Sequence, residues 1–86
     1  MPAMTIELRF FASVREQLGC STETVTVPAE VQTVGQLRAW LLARGGIWAQ
    51  ALNQSLRTAC DQAMCDDAAV LSEGVEVAFF PPVTGG

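Results

Sequence analysis

The sequence predicts an α+β fold, in which a mixed sheet of four to five strands carries one main helix packed on one face. Two observations support this prediction. Segments of alternating apolar and polar residues lie near both ends of the chain, and a segment of helical periodicity lies between them. The 86 residues fit one domain, and because half of them are apolar and only 16% are charged, the composition is that of a packed globular protein.

The first segment predicts a strand followed by a short helix. Residues 5–11 alternate apolar and polar side chains until the second of two phenylalanines breaks the pattern. The positions expected to face the core are Ile6, Leu8 and Phe10. A capping-box pattern at residues 13–16 predicts the start of a short helix, which Gly19 ends. Residues 22–27, rich in valine and threonine, predict a second strand that pairs with the first.

The middle of the chain predicts the main helix. Thr33 and Gln36 have the spacing of a second capping box, and the apolar residues after Thr33 recur on one helical face. These apolar positions are Val34, Leu37, Leu41 and Leu42. The glycine pair at residues 45–46 ends the helix after about 11 residues. Residues 47–52 are expected to add one further turn.

Two more strands complete the predicted sheet. Residues 56–64 form a weaker strand pattern, and a turn at residues 72–74 precedes a last strand at residues 75–80. The order strand, strand, helix, strand, strand favours a β-grasp fold. We therefore expect residues 1–80 to form the domain.

The last six residues, 81–86, predict an extended tail. Pro81 and Pro82 lack the N–H groups that a strand donates, so the chain is expected to leave the sheet and project. Six extended residues reach about 20 Å. Gly85 and Gly86 carry no Cβ and fit a narrow channel near a nucleotide or a catalytic residue. Adenylation by ATP would turn a carboxylate such as that of Gly86 into a mixed anhydride, which a sulfur nucleophile could convert into a thiocarboxylate.

The composition argues against several classes of function. The net charge of −4 has the wrong sign for a nucleic-acid backbone. No apolar stretch is long enough to span a bilayer, so we expect a cytoplasmic protein without a membrane partner. All five basic residues are arginine, and histidine and tyrosine are absent, so an enzyme acting alone is not expected. Cys20, Cys60 and Cys65 lack metal-site spacing, so reduced thiols and no metal are expected.

The two ends of the chain carry a resemblance to a known family. Residues 77–86, which end Phe-Phe-Pro-Pro-Val-Thr-Gly-Gly, resemble the C-terminal ending of the small subunits of molybdopterin synthase. These subunits are sulfur carriers of the ubiquitin-like β-grasp type. Residues 10–16 also resemble the family, as does the order of the central elements. Residues 60–69 are the least typical stretch.

The resemblance implies a function for the tail. Gly86 would be adenylated by an E1-like activating enzyme, sulfurated to a thiocarboxylate, and inserted into the active site of the large synthase subunit. There it would donate sulfur to cyclic pyranopterin monophosphate to build the dithiolene of molybdopterin. The implied assembly is a heterotetramer with two copies of each subunit, and the carrier keeps no permanent cofactor. The resemblance also implies that the residues just before Gly85 and Gly86 contact the large subunit. These residues are Pro81, Pro82, Val83 and Thr84.

A docking surface is predicted beside the base of the tail. Phe11 and Phe80 point away from the core positions of their strands. If the first and last strands are neighbours, the two rings form an apolar patch where a partner binds. The family resemblance adds Met64 by position. Alternatively, both aromatic rings cover only a local apolar cluster.

Two other functions remain open at this point. One is a sulfur carrier of the same fold that serves another pathway, such as thiamine thiazole synthesis or protein modification. In that case Gly86 would react in the same way and only the acceptor would differ. The other is an interaction module whose Gly-Gly ending does not react.

Overall fold

A computed structural model describes residues 3–53 and 55–81, which form a five-stranded sheet and three helices. The strands are β1 (Met4–Phe10), β2 (Thr22–Val27), β3 (Arg57–Cys60), β4 (Ala63–Cys65) and β5 (Glu76–Phe80). The helices are α1 (Ala12–Leu18), α2 (Val34–Leu42) and α3 (Gly46–Leu52). No helix among the described residues has the length and apolar character needed to cross a bilayer.

The sheet has the strand order β2-β1-β5-β3-β4. The central strands β1 and β5 run parallel, and the other neighbours run antiparallel. The predicted mixed sheet is therefore confirmed. Because the first and last strands lie side by side, the chain leaves β5 from the middle of the sheet and next to the end of β1.

The hydrophobic core lies between one face of the sheet and the helices. The predicted inward positions of β1 are at most 1% exposed, and those of α2 include three fully buried residues. The core residues from the sheet are Ile6, Leu8, Phe10, Val25, Val27, Val77 and Phe79, and those from the helices are Val14, Val34, Leu37, Leu41, Ala51 and Leu52. The alternation seen in the sequence therefore decides which face of the sheet is covered.

Helix α2 begins at the predicted capping box. The Thr33 hydroxyl accepts a hydrogen bond from the Gln36 backbone N–H at 3.2 Å, and the Gln36 side-chain oxygen accepts from the Thr33 N–H at 3.1 Å. The helix has nine residues rather than about 11. Gly45, with φ 72°, is the N-cap of the separate helix α3, whose seven residues make it longer than the single turn predicted.

The start predicted for α1 is wrong. The helix begins at Ala12 after Phe11, and its N-cap makes no side-chain hydrogen bond. Phe11 is still extended, with ψ 156°, and its N–H donates to the Phe79 carbonyl at 3.3 Å. Because this bond ties Phe11 to the sheet, the chain turns sharply at Ala12 (φ 53°), and Ser13 is already inside the helix. The predicted C-terminus at Gly19 is confirmed, with φ 76°.

The strand predicted at residues 56–64 is instead a hairpin. Strands β3 and β4 pair antiparallel, with Cys60 opposite Ala63, so only Asp61 and Gln62 form the turn. Both turn residues have positive φ, 49° and 70°. Asp61 is held in place by β5, because its N–H donates to the Glu76 carbonyl at 2.8 Å and its carboxylate accepts from the Glu76 N–H at 3.1 Å. The turn lacks the Asn-Gly or Asp-Gly sequence usual for such hairpins, so the pattern did not predict it.

The two tryptophans have packing roles, as their apolar helical positions predicted. Trp48 meets Phe10 edge to face, with ring centroids 5.6 Å apart. The Arg44 guanidinium lies over both indole rings, 5.2 Å from the centre of Trp40 and 4.5 Å from that of Trp48. Arg44 also forms an ion pair with Glu23 at 3.0 Å. These contacts hold the α2–α3 junction against β1 and β2.

Candidate functional site: an apolar patch beside the last strand

The face of the sheet opposite the helices carries an unbroken apolar row. The strand register places Ala78 of β5 opposite Ala59 of β3, and Ala59 opposite Met64 of β4. Directly opposed residues of paired strands project to the same side. Ala78 is 6% exposed and Ala59 is 8% exposed, whereas Met64 is 60% exposed. The surface is therefore nearly flat at the two alanines, and the Met64 side chain protrudes at its edge.

Phe11 and Phe80 continue this surface at the end of the central strands. Phe10 pairs with Phe79 across the parallel β1 and β5, so the next residues, Phe11 and Phe80, meet on the outer face. Their ring centroids are 6.4 Å apart and the rings are nearly perpendicular, at 84°. Phe11 is 46% exposed, and Phe80 is partly buried. Edge-to-face pairs of this kind are favourable beyond the area that they bury.

We call the surface formed by these residues the outer patch. It comprises Phe11, Ala59, Met64, Ala78 and Phe80. It brings together the three docking residues predicted from the sequence and adds the two alanines, which sequence reasoning missed. The alternation in residues 75–80 places Ala78 on the same face as Phe80, but an alanine at that position carries no sign of function until its neighbours are known.

Charged residues border the outer patch. Arg9 and Glu76 form an ion pair at 3.1 Å on the same face of the sheet. Arg57 lies directly opposite Phe80 and is exposed. A groove of about 530 Å³ runs beside Arg57. Its lining residues are Arg38, Leu56, Arg57, Thr58, Met64, Cys65, Asp66, Asp67 and Ala68. An apolar centre with a polar rim is the usual arrangement of a protein-binding surface.

The predicted tail starts beside the outer patch. Pro81 follows directly after β5 and is partly buried. The remaining predicted site residues, Pro82, Val83, Thr84, Gly85 and Gly86, lie outside the described residues. Within residues 3–53 and 55–81, no cluster of three or more histidine, cysteine, aspartate or glutamate side chains is placed to hold a metal ion. A partner that covers the outer patch would therefore also lie beside Pro81, the residue that follows β5.

This combination of sheet order and helices defines a ubiquitin-like β-grasp protein, as predicted. The sequence profile of the ThiS family matches residues 8–86, and the chain belongs to this family. The match begins within β1 and continues to residue 86, so it includes the Gly-Gly ending.

Relatives and solved structures agree with this assignment. The chain is 44% identical to the molybdopterin synthase sulfur carrier subunit of Escherichia coli over 82 residues, which cover 94% of this chain and 99% of the relative. A Haloferax volcanii protein solved in solution superposes with a TM-score of 0.78 at 31% identity, covering 98% of this chain and 88% of its own. A complex of subunits 1 and 2 of molybdopterin-converting factor from Helicobacter pylori matches with a TM-score of 0.64 at 26% identity, covering 96% of this chain and all of the matched chain.

Proposed function

We propose that this protein is the sulfur-carrier subunit of a molybdopterin synthase, and that Gly86 bears the transferred sulfur as a C-terminal thiocarboxylate. The observation that supports this most strongly is the 44% identity to the Escherichia coli sulfur carrier subunit, over 94% of the chain. The Gly-Gly ending lies inside the segment that matches the ThiS family.

The proposed chemistry has two stages. An E1-like enzyme first transfers AMP from ATP to the Gly86 carboxylate and releases pyrophosphate, because a free carboxylate has a poor leaving group. A sulfur nucleophile then displaces AMP and leaves the thiocarboxylate. In the synthase the thiocarboxylate sulfur would bond to cyclic pyranopterin monophosphate, and water would then hydrolyse the acyl–sulfur bond, which leaves the sulfur on the pterin and returns Gly86 to a carboxylate. Two rounds would complete the dithiolene. Gly85 lets the chain end approach the reacting atoms without a side chain in the way.

The role of the domain itself is docking rather than catalysis. The outer patch exposes Phe11 and Met64 beside the start of the tail, which suits a surface that a second subunit covers. The relative from Helicobacter pylori was solved as a complex of two subunits. We propose that the large subunit binds the outer patch, contacts residues 81–84 and receives Gly86 in its active site, and that two such pairs form a heterotetramer.

Intact mass spectrometry tests the carrier role directly. The chain is expressed together with its own activating enzyme and sulfur donor, and in parallel without the activating enzyme. The expected result is a mass gain equal to the difference between one sulfur and one oxygen atom, located by fragmentation at Gly86. A chain lacking Gly86 is the matched control, since the last strand, β5, ends at Phe80. A mass that stays unchanged with the full machinery would sink the proposal and favour a non-reactive interaction module.

A second experiment identifies the acceptor. The thiocarboxylated chain is mixed with the purified large subunit and cyclic pyranopterin monophosphate, and molybdopterin is measured after oxidation to its fluorescent form. We expect molybdopterin formation that depends on both subunits. A sulfurated chain that gives no molybdopterin but supports thiazole synthesis would assign it to the thiamine pathway instead.

A further inference from the structure

Two cysteines of the β3–β4 hairpin are in close contact. The Sγ atoms of Cys60 and Cys65 are 3.0 Å apart, and both cysteines are free thiols. A disulfide bond is about 2.05 Å long, so closure requires an approach of about 1 Å. Both side chains are partly buried and pack against the hydrophobic core. They therefore lie on the inner face of the sheet, opposite the outer patch.

The strand register places the two cysteines diagonally. Cys60 is opposite Ala63, and Cys65 is opposite Thr58, so the two thiols are offset by two positions. Diagonal neighbours in a sheet usually have Cβ atoms farther apart than the roughly 3.8 Å of a relaxed disulfide. A bond between these cysteines would therefore be strained, and strained disulfides are the easily reduced ones.

We propose that Cys60 and Cys65 form a redox-active dithiol, which low-molecular-weight disulfides such as oxidised glutathione convert into a reversible intramolecular disulfide. One thiolate attacks the small disulfide, forms a mixed disulfide and releases one small thiol. The second cysteine then attacks the mixed disulfide and releases the other small thiol. The protein loses two electrons and two protons, and the small disulfide is reduced to two thiols.

The contact between the two thiols also places each of them to resolve a mixed disulfide. Because the Sγ atoms are already 3.0 Å apart, whichever cysteine first binds the small thiol has its neighbour in position to displace it. Burial, the hydrogen bond to Cys65 and the nearby charges of Cys65 and Asp61 together raise the pKa of the Cys60 thiol from 9.0 to about 12. Because the thiolate is the attacking form, we expect the exchange to become faster as the pH rises.

The test uses the full chain with Cys20→Ser, so that Cys60 and Cys65 are the remaining thiols. The protein is equilibrated in glutathione buffers of increasing oxidised fraction, and its remaining free thiols are then blocked with an alkylating agent. The intact mass is measured by mass spectrometry. We expect the mass of two hydrogen atoms to be lost, both thiols to become inaccessible to alkylation, and dithiothreitol to restore them. Hydrogen exchange of the β3 and β4 amides should slow in the oxidised form, because the bond ties the hairpin together.

Single variants test the resolving step. In the same background, Cys60→Ser and Cys65→Ser should each keep one glutathionyl group, because the cysteine that would displace it is absent. A protein with both cysteines that accumulates as much mixed disulfide as the single variants would overturn resolution by the second cysteine. A wild-type chain that takes up glutathione without losing two hydrogen atoms, or that stays reduced throughout the series, would overturn the dithiol itself. The wild-type measurement needs no substitution, so a variant that fails to fold does not remove the test.

Discussion

The ring of Phe11 stands edge-on to the ring of Phe80, with centroids 6.4 Å apart, although the two residues belong to opposite ends of the chain. Their contact follows from the parallel pairing of β1 with β5. A subunit that binds this pair would contact the residue after β1 and the last residue of β5 at the same time. In the proposed carrier role, the fold would therefore couple recognition of the domain to delivery of the last residues.

The exposed ring of Phe11 is expected to contribute to binding the large subunit. Phe11→Ala should weaken that complex by about 1–2 kcal/mol, or about five- to thirtyfold, because an aromatic anchor of the outer patch is lost. Isothermal titration calorimetry with the purified large subunit measures the change. Ile47→Ala is the matched control, since Ile47 is 48% exposed, close to the 46% of Phe11, but lies on α3. Equal losses from the two substitutions would contradict the assignment of the surface.

The neighbouring Phe10 has the opposite role. It is 1% exposed, stacks on Phe79 with centroids 6.3 Å apart and meets Trp48 at 5.6 Å. Phe10→Ala should lower the free energy of unfolding by about 3–5 kcal/mol, because it leaves a cavity in the core. Urea unfolding followed by tryptophan fluorescence measures this. Phe11→Ala should cost less than about 1 kcal/mol in the same assay. Similar losses for both would mean that Phe11 is structural.

Substitutions in the two capping-box patterns should have different effects, because only the pattern at Thr33 forms a capping box in the folded chain. Thr33→Ala should destabilise the protein by about 1 kcal/mol, since the Gln36 N–H loses its acceptor. Thr33→Ser should retain most of the stability. Ser13→Ala should have little effect, because α1 starts at Ala12 and its N-cap has no side-chain hydrogen bond. Thermal unfolding compares the three proteins, and a clear loss from Ser13→Ala would contradict the observed start of α1.

The elements that the sequence predicted correctly are those whose local pattern agrees with their tertiary contacts. The alternation before Phe11 identified β1 and its core face, and the Thr33–Gln36 spacing identified the start of α2. The Ser13 pattern failed because a distant contact, the hydrogen bond from Phe11 to Phe79 in β5, decides where the first strand ends. Propensity near a helix end is a weak guide when such a tertiary contact competes with it.

The candidate site was predictable only in part for a similar reason. Phe11 and Phe80 were predicted from the sequence, because the strand pattern places both aromatic residues on the face opposite the core. Ala59 does not stand out, because its place in the outer patch depends on the antiparallel pairing of β3 with both β4 and β5. The split between β3 and β4 was missed, since neither Asp61 nor Gln62 is a residue that favours positive φ as glycine does.

The strained turn offers a stabilising substitution. Gln62 has φ 70°. This conformation costs a non-glycine residue about 1–3 kcal/mol. Glycine adopts it without that strain, although the larger entropy of glycine in the unfolded chain offsets part of the gain. Gln62→Gly creates the Asp-Gly pair favoured in two-residue hairpins and should stabilise the protein by about 0.5–1 kcal/mol. Gly74→Ala should have the opposite sign, because Gly74 has φ 78°. Urea unfolding checks both, and a destabilising Gln62→Gly would contradict the turn geometry.

The raised pKa of Cys60 predicts a loss of stability in alkaline solution. In the unfolded chain this thiol releases its proton near pH 9.0, whereas in the folded protein it holds the proton until about pH 12. Between these values the unfolded state binds fewer protons than the folded state, so the free energy of unfolding falls as pH rises. Below pH 9.0 the thiol is protonated in both states, and its contribution stays constant.

Two cysteine variants isolate this contribution. Urea unfolding in reducing buffer at about pH 8 and about pH 10 should show a steeper loss for the wild type than for Cys60→Ala, because of these two only the wild type carries the Cys60 thiol. Cys20→Ala should lose stability as the wild type does, since it retains Cys60. The carboxylates and arginines are common to all three proteins and cancel in the comparison. Parallel pH profiles for the wild type and Cys60→Ala would show that Cys60 ionises as easily in the folded chain as in the unfolded one.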